Sequence, residues 1–302
     1  GAEDPEHPSN FGGLQRRISD IMDALRVDEL AESLLQAQCW SAVRRLSELR
    51  DPQVSHSWLW ALNPAHGPRV RRDRFWTCLR IRLGIDIIGD ATLCPRCSRH
   101  VLDTACAHAL CCAPGESTRG HNRVRDSTLQ LVHAADPSAE TEVTGLIPEA
   151  PSLRPADIFT MAAIPGCQAA LDIGICSPDA CGAGADCCES MFQSKMGTYR
   201  EHLDGLASRN VRYKPLIFSC FGRPHPESHD TLEGIAKQAA RRHGVADHRP
   251  ILKRALDHIS VQIWSRAAAM VHACVPESTP EELALLFGDG DVDDERENNQ
   301  RE

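Results

Sequence analysis

Lysine is scarce in this 302-residue chain: of 33 basic residues only Lys195, Lys214, Lys237 and Lys253 are Lys, and the other 29 are Arg. Arg binds phosphate bidentately, so this bias reads either as phosphate contacts or as the nucleotide composition of the source, and the sequence alone does not separate the two. Aromatics are sparse at 5%, with two tyrosines in all. No apolar run approaches the ~18 residues of a membrane span, so no membrane partner is expected. Residues 1–13 are polar and acidic and carry no secretory h-region. Overall positive charge is also lacking, since the formal net charge is −9. That excludes a uniformly basic nucleic-acid binder. The charge is unevenly placed: residues 277–302 hold ten acids and two bases, residues 51–125 carry a net of +5, and residues 209–254 a net of +6. The tail over 276–302 reads as an acidic disordered segment.

Cysteine, by contrast, is abundant at fourteen. A disulfide scaffold would be short, and a chain of this length can bury a core without cross-links. Metal ligation plus free thiols is the expectation. Cys94-Pro-Arg-Cys97 followed by His108 and Cys112 spells C-x2-C-x10-H-x3-C. Zinc takes four such ligands in a tetrahedron, C-x2-C bends two thiolates onto one ion, and a helical turn puts His108 and Cys112 on one face. Cys111, Cys106 and His100 stand close enough in sequence to substitute. A second group, Cys176, Cys181, Cys187 and Cys188, fits no common ligand spacing and reads as free thiols on a Gly/Ala loop.

The apolar pattern predicts helices over 14–50, 69–83 (basic and amphipathic), 119–136, 189–208, 229–243 and 249–273. Strands are expected over 140–147, 155–163, 168–176 and 212–220, with a turn-rich joint at 51–68 and a loop at 179–188. The fold class is α/β (α+β), arranged as a helical linker (1–68), a basic helix and zinc knuckle (69–118), a domain with a central mixed sheet flanked by helices (119–275), and the tail. Asp172 lies between Leu171, Ile173 and Ile175, where an unpaired carboxylate is costly. A cation would relieve that cost. Asp157 opens the preceding strand, Glu142 and Glu140 lie upstream, and Lys195 follows with Tyr199 one turn on. Converging acids make a hard-oxygen site for Mg²⁺ or Mn²⁺, and a Lys beside them can orient water or stabilise a charged transition state. The alternative for each acid is an ordinary half-exposed strand position.

The order of these motifs resembles the C-terminal region of reverse-transcriptase proteins from non-LTR retrotransposons that carry a restriction-like endonuclease. The resemblance covers roughly residues 55–245. It rests on the knuckle, on the helix Arg119-Gly120-His121-Asn122-Arg123-Val124-Arg125-Asp126, and on Asp157, Asp172 and Lys195 as a PD-(D/E)XK-type core. Trp58-Leu59, Pro64, Phe75, Arg80, Arg82, Leu83 and Gly84 resemble the stretch before the knuckle. Gly120 stands where the family has a second basic residue. Gly174 takes the D-x-K position, with the Lys moved to the helix as the family does. The resemblance implies a restriction-endonuclease-like fold, structural Zn²⁺ at Cys94, Cys97, His108 and Cys112, and catalytic Mg²⁺ or Mn²⁺ at Asp157 and Asp172. It further implies a catalytic set of Asp157, Asp172, Lys195 and Glu142, and nucleic-acid contacts through Arg119, His121, Asn122, Arg123, Arg125 and Tyr199. The implied partner is DNA, with RNA second, and the implied location is the nucleus. No Tyr/Phe-x-Asp-Asp tetrad occurs, so polymerisation is not expected. Two other readings compete: a zinc-knuckle nucleic-acid-binding module whose nuclease site has decayed, and a zinc-stapled interaction protein. Dispersal of Asp157, Asp172 and Lys195 in space would remove the enzyme reading.

Overall fold

The computed structural model describes residues 8–61 and 67–275, with side chains from residue 17 onward. Leu14, Pro64 and the acidic tail lie outside these limits. The helical stretch expected over 14–50 is two helices, α1 (Pro8–Gln36) and α2 (Trp40–Arg50). The break falls at Gln38, whose φ of +56° ends an α-helix. The periodic apolar residues of α1 were expected to pack, but Ile18, Ile21, Leu25 and Leu30 are about half exposed. Trp58, on a short 3-10 turn, is buried against Trp264 with ring centroids 4.6 Å apart. The basic helix α3 (Arg72–Leu83) ends on Gly84 in the left-handed region (φ +67°), where a Cβ would also strike Arg45.

A two-stranded antiparallel hairpin, β1 (Thr92–Leu93) and β2 (Val101–Leu102), frames the first two knuckle cysteines, and α4 (Ala109–Cys112) follows. Helix α5 (Pro114–Ala135) starts five residues earlier than expected because Pro114 supplies a preset φ at its first position.

The main sheet has order β3-β4-β5-β6: β3 (Glu140–Thr141), β4 (Ile158–Ile164) and β5 (Cys167–Cys176) run antiparallel in turn, and β6 (Val211–Ser219) lies parallel to β5. The strand expected over 140–147 stops at Thr141, because Glu142 takes φ +57°. A parallel pair needs a crossover. Here it is made by α6 (Cys187–Tyr199), a 3-10 turn at Arg200–His202 and α7 (Leu203–Ser208), where one helix was expected. Asp186 caps α6, its Oδ1 accepting from Cys188 N at 2.8 Å and Glu189 N at 3.2 Å. The helix therefore begins inside the predicted loop.

The two faces of the sheet are covered differently. Ala169, Leu171 and Ile173 of β5 join one core with α5, α8 (Pro226–Arg242) and α9 (Arg249–Cys274). Ala170 joins Tyr199, Leu206 and Tyr213 on the other face. The alternation puts Asp172, Gly174 and Cys176 on this second face, toward α6. A further core unites Trp58, Cys78, Leu102 and Leu110 with Trp264, Ala268, Met270 and Val271, so α9 spans from the sheet to the knuckle.

Candidate functional site

The knuckle is assembled. Cys94, Cys97, His108 and Cys112 have ligand atoms all within 4.8 Å of one another, so these four can hold a zinc ion. Cys94 Sγ stands 3.6 Å from Cys112 Sγ, and Cys97 Sγ 3.4 Å from His108 Nε2. The donor set, three thiols and an imidazole, suits zinc. Local backbone explains the convergence. Cys94 N donates to His100 O and Ser98 N donates to Cys94 O, so the C-x2-C turn closes on itself. Ala107 N donates to Asp103 Oδ1 just before the α4 turn that carries His108 and Cys112. His100 stays next to the site, 3.6 Å from Cys97 Sγ, and helps pull that thiol down to about 5. Of the possible substitutes, Cys106 is buried away from the group and Cys111 is exposed. Cys274 of α9, which sequence reasoning passed over, is buried against Cys94 and has its own thiol pushed up to about 11, first by burial and then by Cys94.

The second cluster lies at the start of the crossover. Lys195 Nζ donates to Asp172 Oδ1 at 2.6 Å. Tyr213 OH donates to Asp172 Oδ2 at 2.5 Å. Asp157 Oδ2 accepts from Ile173 N at 2.7 Å and lies 3.2 Å from His121 Nε2, which also faces Ile173 O at 3.2 Å. Asp157, Asp172, Lys195 and His121 thus gather around the middle of β5, brought there by the entry to β4, β5, α6 and α5. Burial pushes the Asp172 carboxyl up, only partly offset by Lys195 and Tyr213, and the neighbouring Asp157 adds to the rise. Burial also pushes Asp157 up, but His121 and the Ile173 amide more than offset it and hold it below the usual carboxylate range. His121 is raised, chiefly by its hydrogen bond to Asp157.

Two glycines stand where the sequence differs from the pattern it resembles, and Pro155-Ala156-Asp157, in place of adjacent Pro-Asp, is a third difference that they do not explain. A Cβ on Gly174 would come within 2.7 Å of Met191 Sδ, 2.8 Å of Ile217 Cδ1 and 3.0 Å of Lys195 Cε. Met191 and Lys195 of α6, with Ile217 of β6, fill the space where a side chain at this position would start. A Cβ on Gly120 would stand 2.3 Å from Arg266 Cγ, so α9 packs where a second basic side chain would stand.

Other expected residues fall elsewhere. Glu142 does not join the two aspartates: its Oε1 accepts from Arg125 Nη1 at 2.6 Å, and only its backbone N reaches Asp157 O. Glu140 is exposed on the two-residue edge strand. Arg125 is tied to Asp126 and Glu142 and is not a free cation, whereas Arg119 and Arg123 are exposed. Asn122 is half-buried beside His121. Tyr199, expected at the nucleic-acid surface, is 8% exposed and donates to Arg154 O, 2.9 Å away, so it braces the site from behind. Tyr213 was missed. It pairs with Ala170, two residues before Asp172, so the parallel register puts both side chains on one face. Asp136 was missed too: 3% exposed, it accepts from Thr160 Oγ1, Ser138 Oγ, Met161 N and Ala162 N and fastens α5 to the irregular part of β4.

Cys176, Cys181, Cys187 and Cys188 are free thiols, as expected, but three of them are gathered and not strung along a loose loop. Cys181 is exposed on the loop, but the other three are buried with their sulfurs within 4.8 Å of one another. Asp186, as an N-cap, was the available signal.

No family model, no curated protein and no solved structure matches this chain.

Proposed function

We propose that this chain is a metal-dependent endonuclease that nicks DNA, of the restriction-like type found in non-LTR retrotransposon proteins. One observation carries the reading. Asp157, Asp172 and Lys195 come from three separate elements, and they converge beside a helix that presents Arg119 and Arg123 to solvent. The order α5, three antiparallel strands, α6 and then a parallel strand is consistent with a PD-(D/E)XK core.

The donor chemistry fits a hard divalent cation: two carboxylates from neighbouring strands, with Asp157 Oδ1 accepting no hydrogen bond among the described residues. Asp157 and Asp172 would hold Mg²⁺ or Mn²⁺, and the ion supplies Lewis-acid stabilisation of the phosphodiester when bound. Lys195 holds a positive charge against Asp172, where it can orient a water or the phosphate. His121, hydrogen-bonded to Asp157, would help position the phosphate backbone. The zinc knuckle, packed on α9 with Arg96 and Arg99 on its exposed side, extends the DNA track. RNA as a second substrate and nuclear location belong to the same proposal.

The decayed binding module is the second reading, and Glu142 favours it. Its engagement with Arg125 leaves two acids at the site, and no group of three carboxylate or His ligands gathers there among the described residues.

A nicking assay on supercoiled plasmid with Mg²⁺ or Mn²⁺ separates the two. Metal-dependent nicking that Asp172→Ala abolishes is expected. Equal nicking in both proteins, or none in wild type with either metal while the plasmid is still bound, decides for the binding module.

A further inference from the structure

Three thiols, a buried cation and a carboxylate at the β5–α6 junction are not used by the proposed chemistry. Cys176 ends β5, while Cys187 and Cys188 open α6. All three are buried, and Cys176 Sγ lies 3.7 Å from Cys188 Sγ. Tetrahedral zinc–thiolate bonds of ~2.3 Å put sulfurs ~3.8 Å apart, so this edge already has the length that a shared ion sets. A disulfide would need about 2 Å and would leave one of the three thiols out. Glu48 Oε1, on α2, is 3.8 Å from Cys187 Sγ, but it does not lie within 4.8 Å of all three sulfurs. Glu48 is 7% exposed, and Arg223 holds it by two hydrogen bonds of 2.8 and 2.9 Å.

The surroundings ask for negative charge. Arg266 is 5% exposed, yet it has no carboxylate partner among the described residues, and its Nε makes no hydrogen bond. Its one hydrogen bond runs from Nη2 to Ser117 Oγ. The groups acting on it electrostatically are the thiols of Cys220, Cys111 and Cys176. A buried guanidinium without an anion is costly. Three thiolates around a divalent ion carry a net negative charge and would supply that anion.

We infer that Cys176, Cys187 and Cys188 form a second thiophilic metal site, occupied by zinc through these three thiolates. The ion would tie the end of β5 and the start of α6 into one unit. Asp172 sits four residues before Cys176, and Lys195 about two turns after Cys187, so the site would fix the crossover that brings lysine and aspartate together. It is a structural metal, separate from the knuckle and from the carboxylates.

The test is metal content of the full chain, purified under reducing conditions. Wild type should carry about two zinc ions per chain, and both Cys187→Ser/Cys188→Ser and Cys97→Ser about one each, from different sites. About one zinc in wild type, or about two retained in Cys187→Ser/Cys188→Ser, overturns the inference. Cobalt titration of metal-free wild type guards against a variant that fails to fold. Thiolate-to-cobalt charge-transfer absorbance should rise to about two equivalents, and saturation at about one overturns the proposal. A Cys176–Cys188 disulfide found by mass spectrometry in the chain as purified overturns it as well. Metal content is read without nicking, so failure here leaves the nuclease proposal untouched, and the reverse.

Discussion

Removing the lysine from the buried pair gives a number that the structure bounds. Asp172 is 7% exposed, and Lys195 is its one cationic partner within ion-pair distance among the described residues. Lys195→Met keeps most of the aliphatic stem and deletes the charge. If Asp172 stayed ionised, losing one member of a buried pair would cost about 3–5 kcal/mol. The carboxyl has an escape, because it can take up a proton. From the ordinary value of 3.8, holding it neutral at pH 7 costs about 4 kcal/mol at 1.36 kcal/mol per unit. That escape caps the penalty, and the cap falls by about 1.4 kcal/mol for each unit the pH is lowered. Urea unfolding of wild type, Lys195→Met and Lys195→Met/Asp172→Asn at pH 7 and pH 5 is the assay. The single variant should lose about 3–4 kcal/mol at pH 7 and clearly less at pH 5. The double variant should recover most of the loss at pH 7, since Tyr213 still has an oxygen to donate to. A loss under about 1 kcal/mol at pH 7, or one that does not change with pH, would falsify the view that Lys195 neutralises Asp172.

Other outcomes follow from the same geometry. Asp136→Ala removes a buried acceptor of five groups and should cost about 2–4 kcal/mol by chemical denaturation, while Ser138→Ala costs much less. Gly174→Ala pushes a methyl into Met191, Ile217 and Lys195. It should cost about 1–3 kcal/mol and reduce nicking by displacing the lysine, and unchanged stability would show that α6 stands further from the sheet. The His121–Asp157 pair predicts a stability window. The raised histidine contributes fully below its ordinary 6.5 and loses its contribution as pH rises through the folded value; the lowered aspartate contributes above its ordinary 3.8 and loses its contribution as pH falls through the folded value. Unfolding free energy should therefore fall on both sides of this window in wild type and less so in His121→Ala. Chelation of zinc should raise hydrogen exchange in 92–113 and in the last turns of α9, which share a core, before it affects β4 and β5.

What the sequence disclosed depended on how local each constraint is. The knuckle was legible because its four ligands fall within nineteen residues and a turn plus one helical step brings them together. Strands β4, β5 and β6 were legible from apolar, β-branched composition, and their observed limits differ from the expected ones by a few residues at most. Glu142 was misplaced because alternation places it on a strand, whereas its positive φ ends the strand and turns the side chain to Arg125. Tyr213 and Asp136 act through pairings set by register across elements, which periodicity within one element does not report. The thiol triad was lost to a two-residue error at a helix start. Reading Asp186 as a cap, with Glu189 three residues on, would have put Cys187 and Cys188 on helical backbone facing the end of β5. The two glycines carry the more general lesson. Gly120 and Gly174 looked like losses against the family pattern, yet each marks a spot occupied from other elements, by Arg266 in one case and by Met191, Ile217 and Lys195 in the other. A missing side chain in a motif is thus weak evidence of decay until the space it vacates has been examined. At Gly174 that space is bounded by Met191 and Lys195 of α6 and by Ile217 of β6.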